Sequence, residues 1–232
     1  MTEFYEAVNS RRSVRSFLPE PVPADVLDRC LDAALKAPSS SNLQPWRFIV
    51  LQSPEIRSET AKVCLNQAAA TSAPLLVALV CHPGSWRRNR DEIVRILASR
   101  GDLRKGMDTY YSRLIPLFYI HGPFNLLGWW KPIVSYLVSL VRPFPRLLTQ
   151  TGARITAHKT TALAAATFML ALRAEGYDSC PMEGFDPRRA AKLLGLKGDE
   201  EVSMFLAVGK RAADGVRFDR VLLPRDWTVQ TR

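Results

Sequence analysis

The sequence lacks the cysteine and histidine patterns that hold metal ions or build a disulfide framework. Its four cysteines form no C-x-x-C pair, and its three histidines are dispersed. Cys30 and Cys81 lie within apolar patterns, where a free thiol behaves as a small hydrophobic side chain. We therefore expect neither a metal site nor a set of disulfides.

Long apolar segments are also missing. The first six residues carry two acids and nothing that resembles the apolar region of a secretory signal. Further along the chain, no apolar run reaches the roughly 18 uninterrupted residues that a membrane-spanning helix needs. These absences predict a cytoplasmic protein without a transmembrane segment.

Acidic residues are in deficit, since 22 Asp and Glu against 32 Lys and Arg give a net charge of +10. Such a charge favours anionic partners, whether a phosphate-bearing cofactor, a nucleic acid or an acidic lipid. The basic residues are spread over several predicted helices, and no DNA- or RNA-binding motif is visible. We expect no nucleic-acid partner.

The 232 residues are 47% hydrophobic, which is enough to build one substantial core. Helical spacing of apolar residues predicts helices from Pro23 towards Pro38, from Pro54 onward, and over residues 157–175. Apolar runs of strand length predict strands over residues 46–51, 75–81 and 203–208, with a last extended segment over residues 216–223. Because the strands are few and unevenly spaced, the pattern favours an α+β layered fold over regular βαβ winding.

A basic run follows a short first helix, which is predicted from Thr2 as a possible N-cap and from Phe4, Ala7 and Val8 on one face. Residues 11–17 read Arg-Arg-Ser-Val-Arg-Ser-Phe and place three guanidiniums and two hydroxyls within seven residues. Guanidiniums bind phosphate in a bidentate manner and hydroxyls add neutral donors. The run is therefore a candidate phosphate site, although such a run taken alone is more typical of a solvated basic turn.

Three further motifs follow in order. Residues 38–46 read Pro-Ser-Ser-Ser-Asn-Leu-Gln-Pro-Trp; we call residues 38–45 the serine-rich loop. Asn66-Gln67 precedes an Ala-Pro and a buried strand, and residues 176–185 read Gly-Tyr-Asp-Ser-Cys-Pro-Met-Glu-Gly-Phe. Together with the basic run, these motifs resemble the nitroreductase family in order and spacing over most of the chain, with no clear resemblance at about residues 84–154.

The resemblance implies a single domain over residues 1–232, folded as a three-layer sandwich with a mostly antiparallel sheet flanked by helices. It implies a homodimer in which a C-terminal arm is exchanged between subunits. It also implies bound FMN, with NADH or NADPH as transient electron donor, and ping-pong reduction of nitroaromatic, quinone or similar hydrophobic acceptors. A reductive dehalogenase, an enone reductase, or a non-catalytic flavin-binding membrane-surface protein are the alternatives.

The family's roles carry over residue by residue. Arg11, Ser13 and Arg15 resemble the ligands of the flavin phosphate and ribityl chain, and Arg12 is similar to a contact at the isoalloxazine edge. Asn66 resembles the contact to the pyrimidine edge. Residues of the serine-rich loop resemble those that cross the dimer interface to the other flavin: Pro38, Ser39, Ser40 and Asn42. The family's turn over the flavin is matched here by Pro181, Met182, Glu183 and Gly184. In that turn the backbone of Glu183 and Gly184 would face the reactive N5.

The phosphate clamp of the family is usually completed by a basic residue near the C-terminus. Lys210 and Arg211 are favoured, because they directly follow the strand predicted to end at Val208. Arg217 is the alternative, and the spacing does not choose between them.

The middle of the chain is unusual. Residues 109–174 contain no Asp or Glu but seven basic residues, among apolar stretches broken by Pro and Gly. We expect a divergent helical insertion at about residues 105–154, hereafter the helical insertion. It could be a packing subdomain, a lid whose aromatic residues shape a substrate pocket, or a peripheral contact with an anionic membrane such as the inner membrane surface. The candidate pocket residues are Tyr110, Tyr111, Phe118, Phe124, Trp129 and Trp130.

Overall fold

The computed structural model describes residues 3–120, 126–144 and 149–232. Its four strands are β1 (Trp46–Leu51), β2 (Leu75–Cys81), β3 (Asp178–Met182) and β4 (Glu201–Gly209). Its helices outside the helical insertion are α1 (Glu3–Ser10), α2 (Ala24–Leu35), α3 (Pro54–Val63), α4 (Ala68–Ser72), α5 (Trp86–Ser99), α9 (Gln150–Ala174), α10 (Pro187–Leu193) and α11 (Arg225–Thr228), with short 3-10 turns at Ser40–Asn42 and Pro83–Ser85.

Most of the described part of the helical insertion is helical, and residues 140–144 are a turn and irregular chain. It contains α6 (Lys105–Thr109), a π-helical turn (Tyr110–Leu114), α7 (Ile115–Tyr119) and α8 (Leu126–Ser139), and it runs into the start of α9. None of the helices described along the chain combines the length and apolar character needed to cross a membrane.

The strands form one antiparallel sheet in the order β1-β2-β4-β3. Successive side chains of a strand point to opposite faces, and the two faces of this sheet feed two separate cores. Leu75, Val77 and Leu79 of β2 pack with α2 and α9, whereas Leu76 and Ala78 pack with the core formed by α3, α4 and α10. The three-layer sandwich expected from the resemblance is confirmed.

The apolar runs located the strands of the sheet centre well. The predicted bounds of β1 and β2 are confirmed, and β4 extends the predicted strand at both ends. The long helix α9 begins seven residues before the predicted start and ends near Gly176, whose φ of +83° suits glycine.

One expectation about the later part of the chain was wrong. Residues 178–182, interpreted as part of a turn, form the edge strand β3; Pro181 and Asp178 are residue types that strands disfavour, and an edge position tolerates proline. Residues 216–223, expected to be an extended segment, form no strand within the chain, and the exchange of this arm between subunits stays a prediction.

Candidate functional site

The basic run is held in place from both sides by backbone hydrogen bonds. On one side, Val14 N donates to Ser179 O of β3 at 3.2 Å. On the other side, Arg15 N donates to Gly215 O at 2.8 Å in the segment that follows β4. Val14 and Phe17 are buried anchors, and the arginines between and before them remain half-exposed. The backbone hydrogen bonds and the two buried side chains therefore hold the run in place, while its arginines stay partly accessible to solvent.

The segment after β4 approaches this run closely. A Cβ on Gly215 would lie 2.7 Å from Ser16 O and 3.0 Å from a Val14 methyl group, so a larger residue would push the two segments apart. Beyond Gly215 the chain continues along the run: Arg12 donates to Phe218 O, and Arg220 donates to Arg11 O.

A cleft of about 230 Å³ opens between the two segments, and we call it the arginine cleft. Its lining residues are Arg11, Arg12, Ser13, Arg15, Val216, Arg217, Phe218, Arg220 and Val221. Five arginines and one serine thus line one small space, and no Asp or Glu is among the lining residues. Such a donor set fits a phosphate group.

Lys210 and Arg211, which the sequence favoured for the phosphate clamp, lie outside the lining of the arginine cleft. Lys210 Nζ donates to Glu20 at 2.8 Å, and this hydrogen bond raises the pKa of Lys210. Arg211 donates twice, at 2.6 Å each, to the buried carboxylate of Asp178, which raises the pKa of Arg211. Both cations are already paired, whereas the alternative residue, Arg217, lines the cleft.

Arg220 was missed by sequence reasoning. Its guanidinium also donates to Val8 O at 3.2 Å, so it connects the C-terminal segment to the end of α1. Its segment is irregular, so no periodicity marked Arg220, and the sequence showed only that it lies three residues after Arg217.

The Asn66 motif and the Gly184 motif lie together. Gln67 Nε2 donates to Gly184 O at 2.7 Å, and Asp186 N donates to Val63 O at 3.0 Å. Asn66, Glu183 and Gly184 are exposed, and Met182 is buried at the end of β3. Since β3 also carries Ser179 beside the basic run, three of the four motifs converge around this one edge strand.

Unusual backbone geometry concentrates in two of the motifs. Leu65 and Asn66 have φ of +59° and +52°, and Ser41, Asn42 and Gln44 have φ of +54°, +54° and +45°. Asparagine tolerates this region, but serine, glutamine and leucine adopt it at a cost. Backbone strain of this kind clusters at ligand-binding sites.

The serine-rich loop lies apart from the arginine cleft, and none of its residues lines that cleft. Ser39 Oγ accepts a hydrogen bond from Gln44 N at 3.2 Å, and buried Leu43 anchors the loop. Pro38, Ser40 and Asn42 are exposed. Within one chain the structure therefore does not join this loop to the other three motifs.

Two tyrosines of the helical insertion hold the serine-rich loop. Tyr110 Oη and Ser41 Oγ are 2.6 Å apart, and Tyr111 Oη donates to Ser41 O at 3.2 Å. Both tyrosines belong to the π-helical turn, a geometry that often marks functional positions. Burial raises the pKa of Tyr111, which keeps its hydroxyl a donor.

The other candidate pocket residues do not gather in this way. Phe118 is half-buried on α7, and Trp129 and Trp130 are 74% and 65% exposed on α8. Phe124 lies outside the described residues. A groove of about 760 Å³ beside the serine-rich loop is lined instead by Leu35, Leu43, Gln44, Trp46 and seven residues of α5.

Comparisons with known proteins agree on one family. The model of the nitroreductase family matches residues 8–210. Protein DrgA of Synechocystis sp. is 29% identical over 215 residues, covering 90% of this chain and 85% of that protein. A protein of Thermus thermophilus named NADH dehydrogenase is 27% identical over 219 residues, covering 94% and 92%. A solved structure from Exiguobacterium sibiricum, in complex with FMN, has a TM-score of 0.75 at 23% identity and covers 100% of this chain and 98% of that one.

Proposed function

Since the chain belongs to the nitroreductase family, we propose that it is an FMN-dependent oxidoreductase whose flavin phosphate binds in the arginine cleft. The observation that carries this proposal is the convergence of five arginines and Ser13 on one cleft without a carboxylate in its lining. The neighbouring fold from Exiguobacterium sibiricum, which is in complex with FMN, supports the choice of flavin.

The residues present fit the cofactor at more than its phosphate end. Beside Ser13, the buried hydroxyl of Ser179 has no hydrogen-bond partner among the described residues, and a buried polar group of this kind indicates a polar ligand nearby. In this proposal Arg11, Ser13, Arg15 and Arg217 hold the phosphate and ribityl chain. Arg12 and Asn66 would meet the ring edges.

A bound FMN would supply the electron transfer, and we expect ping-pong turnover with NADH or NADPH as donor and a nitroaromatic, quinone or similar hydrophobic acceptor. The chain's own contribution is position and charge. Gln67 donates to the carbonyl of Gly184 and so holds the exposed backbone of Glu183 and Gly184, which would face the reactive N5 of a bound flavin. The guanidiniums of the arginine cleft favour an anionic cofactor.

A homodimer is part of the proposal. The serine-rich loop carries strained, exposed residues but does not reach the arginine cleft of its own chain, so it is available to a partner's flavin. The C-terminal segment exposes Phe218, Val221, Leu222 and Trp227, each at least 65% exposed, as an arm that packs on a second copy would. A cytoplasmic setting suits the four free, buried cysteines.

One preparation of the purified protein is enough to test flavin binding and turnover. The purified protein is expected to be yellow, to release about one FMN per chain on denaturation, and to oxidise NADH or NADPH faster when a nitroaromatic or quinone is added. Initial rates at varied donor and acceptor should give parallel double-reciprocal lines. Colourless protein that does not take up FMN would refute the proposal, and bound FMN without acceptor-dependent turnover would reduce it to flavin binding.

A variant truncated after Gly209 tests the proposed C-terminal arm. If the arm joins the two subunits, light scattering should show that this variant is no longer a dimer.

A further inference from the structure

Helix α8 presents its apolar side to solvent. Six apolar side chains between Trp129 and Leu137 are at least half exposed: Trp129, Trp130, Ile133, Val134, Tyr136 and Leu137. At 100° per residue they occupy roughly one half of the helix circumference. Leu140 and Val141, directly after the helix, are 65% and 89% exposed and extend the same surface. We call these eight residues the α8 surface.

The opposite side of α8 is polar and faces the protein. Ser135 is 1% exposed, and Lys131 Nζ donates to the carbonyls of Leu117 and Ile120 at the end of α7. Burial lowers the pKa of Lys131. A surface helix of a globular protein normally buries its apolar stripe and exposes its polar one. The reversed orientation indicates that something apolar covers the α8 surface.

Charge indicates what covers it. The α8 surface lies within residues 109–174, which contain no Asp or Glu, and Arg113, Arg142 and Lys159 are exposed basic residues of the same stretch. A second copy would bring an equally basic stretch against this one, and like charges repel. An anionic lipid surface is complementary both to the apolar face and to the basic stretch of chain that carries it.

We propose that the α8 surface inserts into the headgroup layer of an anionic membrane, with the helix lying in the membrane plane. Trp129 and Trp130 suit this depth, because an indole combines a large apolar body with a polar N–H. The polar side of α8 then keeps its contacts with the protein. This inference does not depend on flavin binding, since it concerns a surface away from the arginine cleft.

The experiment is co-sedimentation of the full-length protein with vesicles. Vesicles of equal parts phosphatidylglycerol and phosphatidylcholine are expected to bind the protein, whereas phosphatidylcholine vesicles bind it weakly. Binding should decrease as salt rises, and Arg142→Gln should weaken it by about five-fold at low salt. The double variant Ile133→Glu, Leu137→Glu should abolish binding, while Leu163→Glu, which changes an exposed leucine of α9, should leave it intact.

The double variant is expected to fold, because both side chains are more than half exposed; circular dichroism and thermal unfolding check this. Either of two binding results, or one result on oligomeric state, would overturn the proposal. The binding results are an unaltered affinity of the double variant for phosphatidylglycerol vesicles and no binding by the unaltered protein. The result on oligomeric state is a double variant that becomes monomeric in light scattering while the Leu163→Glu variant stays dimeric, which would assign the α8 surface to a second copy.

Discussion

The basic run of the arginine cleft and the helical insertion are held to their neighbours by different kinds of contact. The basic run is bonded through its backbone to β3 on one side and to the segment around Gly215 on the other. The helical insertion contacts the rest of the molecule through side chains: two tyrosine hydroxyls bond the serine-rich loop, and Tyr111 and Ile115 pack with Leu43 and Trp86. Backbone bonds place a site whatever the neighbouring side chains are. Side-chain contacts leave the attached segment free to differ, which suits the part of the molecule that meets variable substrates or surfaces.

Truncation of a buried or an exposed side chain should give the largest difference between the two regions in the free energy of unfolding. Phe205→Ala removes a fully buried ring from β4, where it packs edge-on against Phe185, and should lower the free energy of unfolding by about 3–5 kcal/mol. Leu137→Ala on α8 changes a side chain that is 56% exposed and should stay within about 0.5 kcal/mol of the unaltered protein. Urea unfolding measures both. Equal losses would mean that α8 packs into the same cooperative unit as the sheet.

The next largest effect should come from the ion cluster beside the arginine cleft. The Asp178 side chain is 1% exposed and pairs with Arg173 at 3.1 Å and Arg211 at 2.6 Å. Asp178→Ala leaves both guanidiniums without their carboxylate, and we expect a loss of about 2–4 kcal/mol, below the range for fully buried pairs because the arginines are partly exposed.

The matched control for this cluster is Glu20→Ala. It breaks the Lys210 ion pair, in which both side chains are about half exposed, and should cost less than about 1 kcal/mol. Thermal unfolding of both variants compares them. If Asp178→Ala proved as mild as Glu20→Ala, the assignment of Arg211 to stability over phosphate binding would lose its support.

A smaller effect should connect the two regions. Tyr110→Phe removes the hydroxyl that lies 2.6 Å from Ser41 Oγ and should cost about 0.5–1.5 kcal/mol. If the serine-rich loop serves a flavin, the same variant should weaken FMN binding by a few-fold in a fluorescence titration. Tyr136→Phe on the exposed side of α8 is the matched control. Equal FMN affinity in the two variants would mean that the Tyr110 contact with the serine-rich loop does not support FMN binding.

The sequence anticipated the parts of this molecule that depend on periodicity and local motif. β1 and β2 are apolar runs buried in a sheet centre, and their bounds followed directly from the pattern. β3 did not, because Pro181 disguises a strand that only the pairing with β4 reveals. The choice between Lys210 or Arg211 and Arg217 was also beyond the sequence. That choice depends on two carboxylates that lie far away along the chain: Glu20 pairs with Lys210, and Asp178 pairs with Arg211.

The reversed orientation of α8 could not be predicted for a similar reason. The sequence shows an apolar segment with interspersed Lys131 and Ser135, but the side that faces the protein is decided by where α7 presents its carbonyls. A helical pattern alone gives two faces and does not say which of them is buried.

The relative affinity for FMN and riboflavin tests the central claim most directly, because the two ligands differ only in the phosphate. Fluorescence titration of the flavin-free protein should give about 100-fold or tighter binding of FMN, since charge-assisted hydrogen bonds to the phosphate are lost with riboflavin. Arg217→Gln should narrow that ratio by about ten-fold, whereas Lys210→Gln should leave it unchanged. Equal affinity for the two ligands, or a ratio that responds to Lys210 and not to Arg217, would contradict the assignment of the phosphate to the arginine cleft.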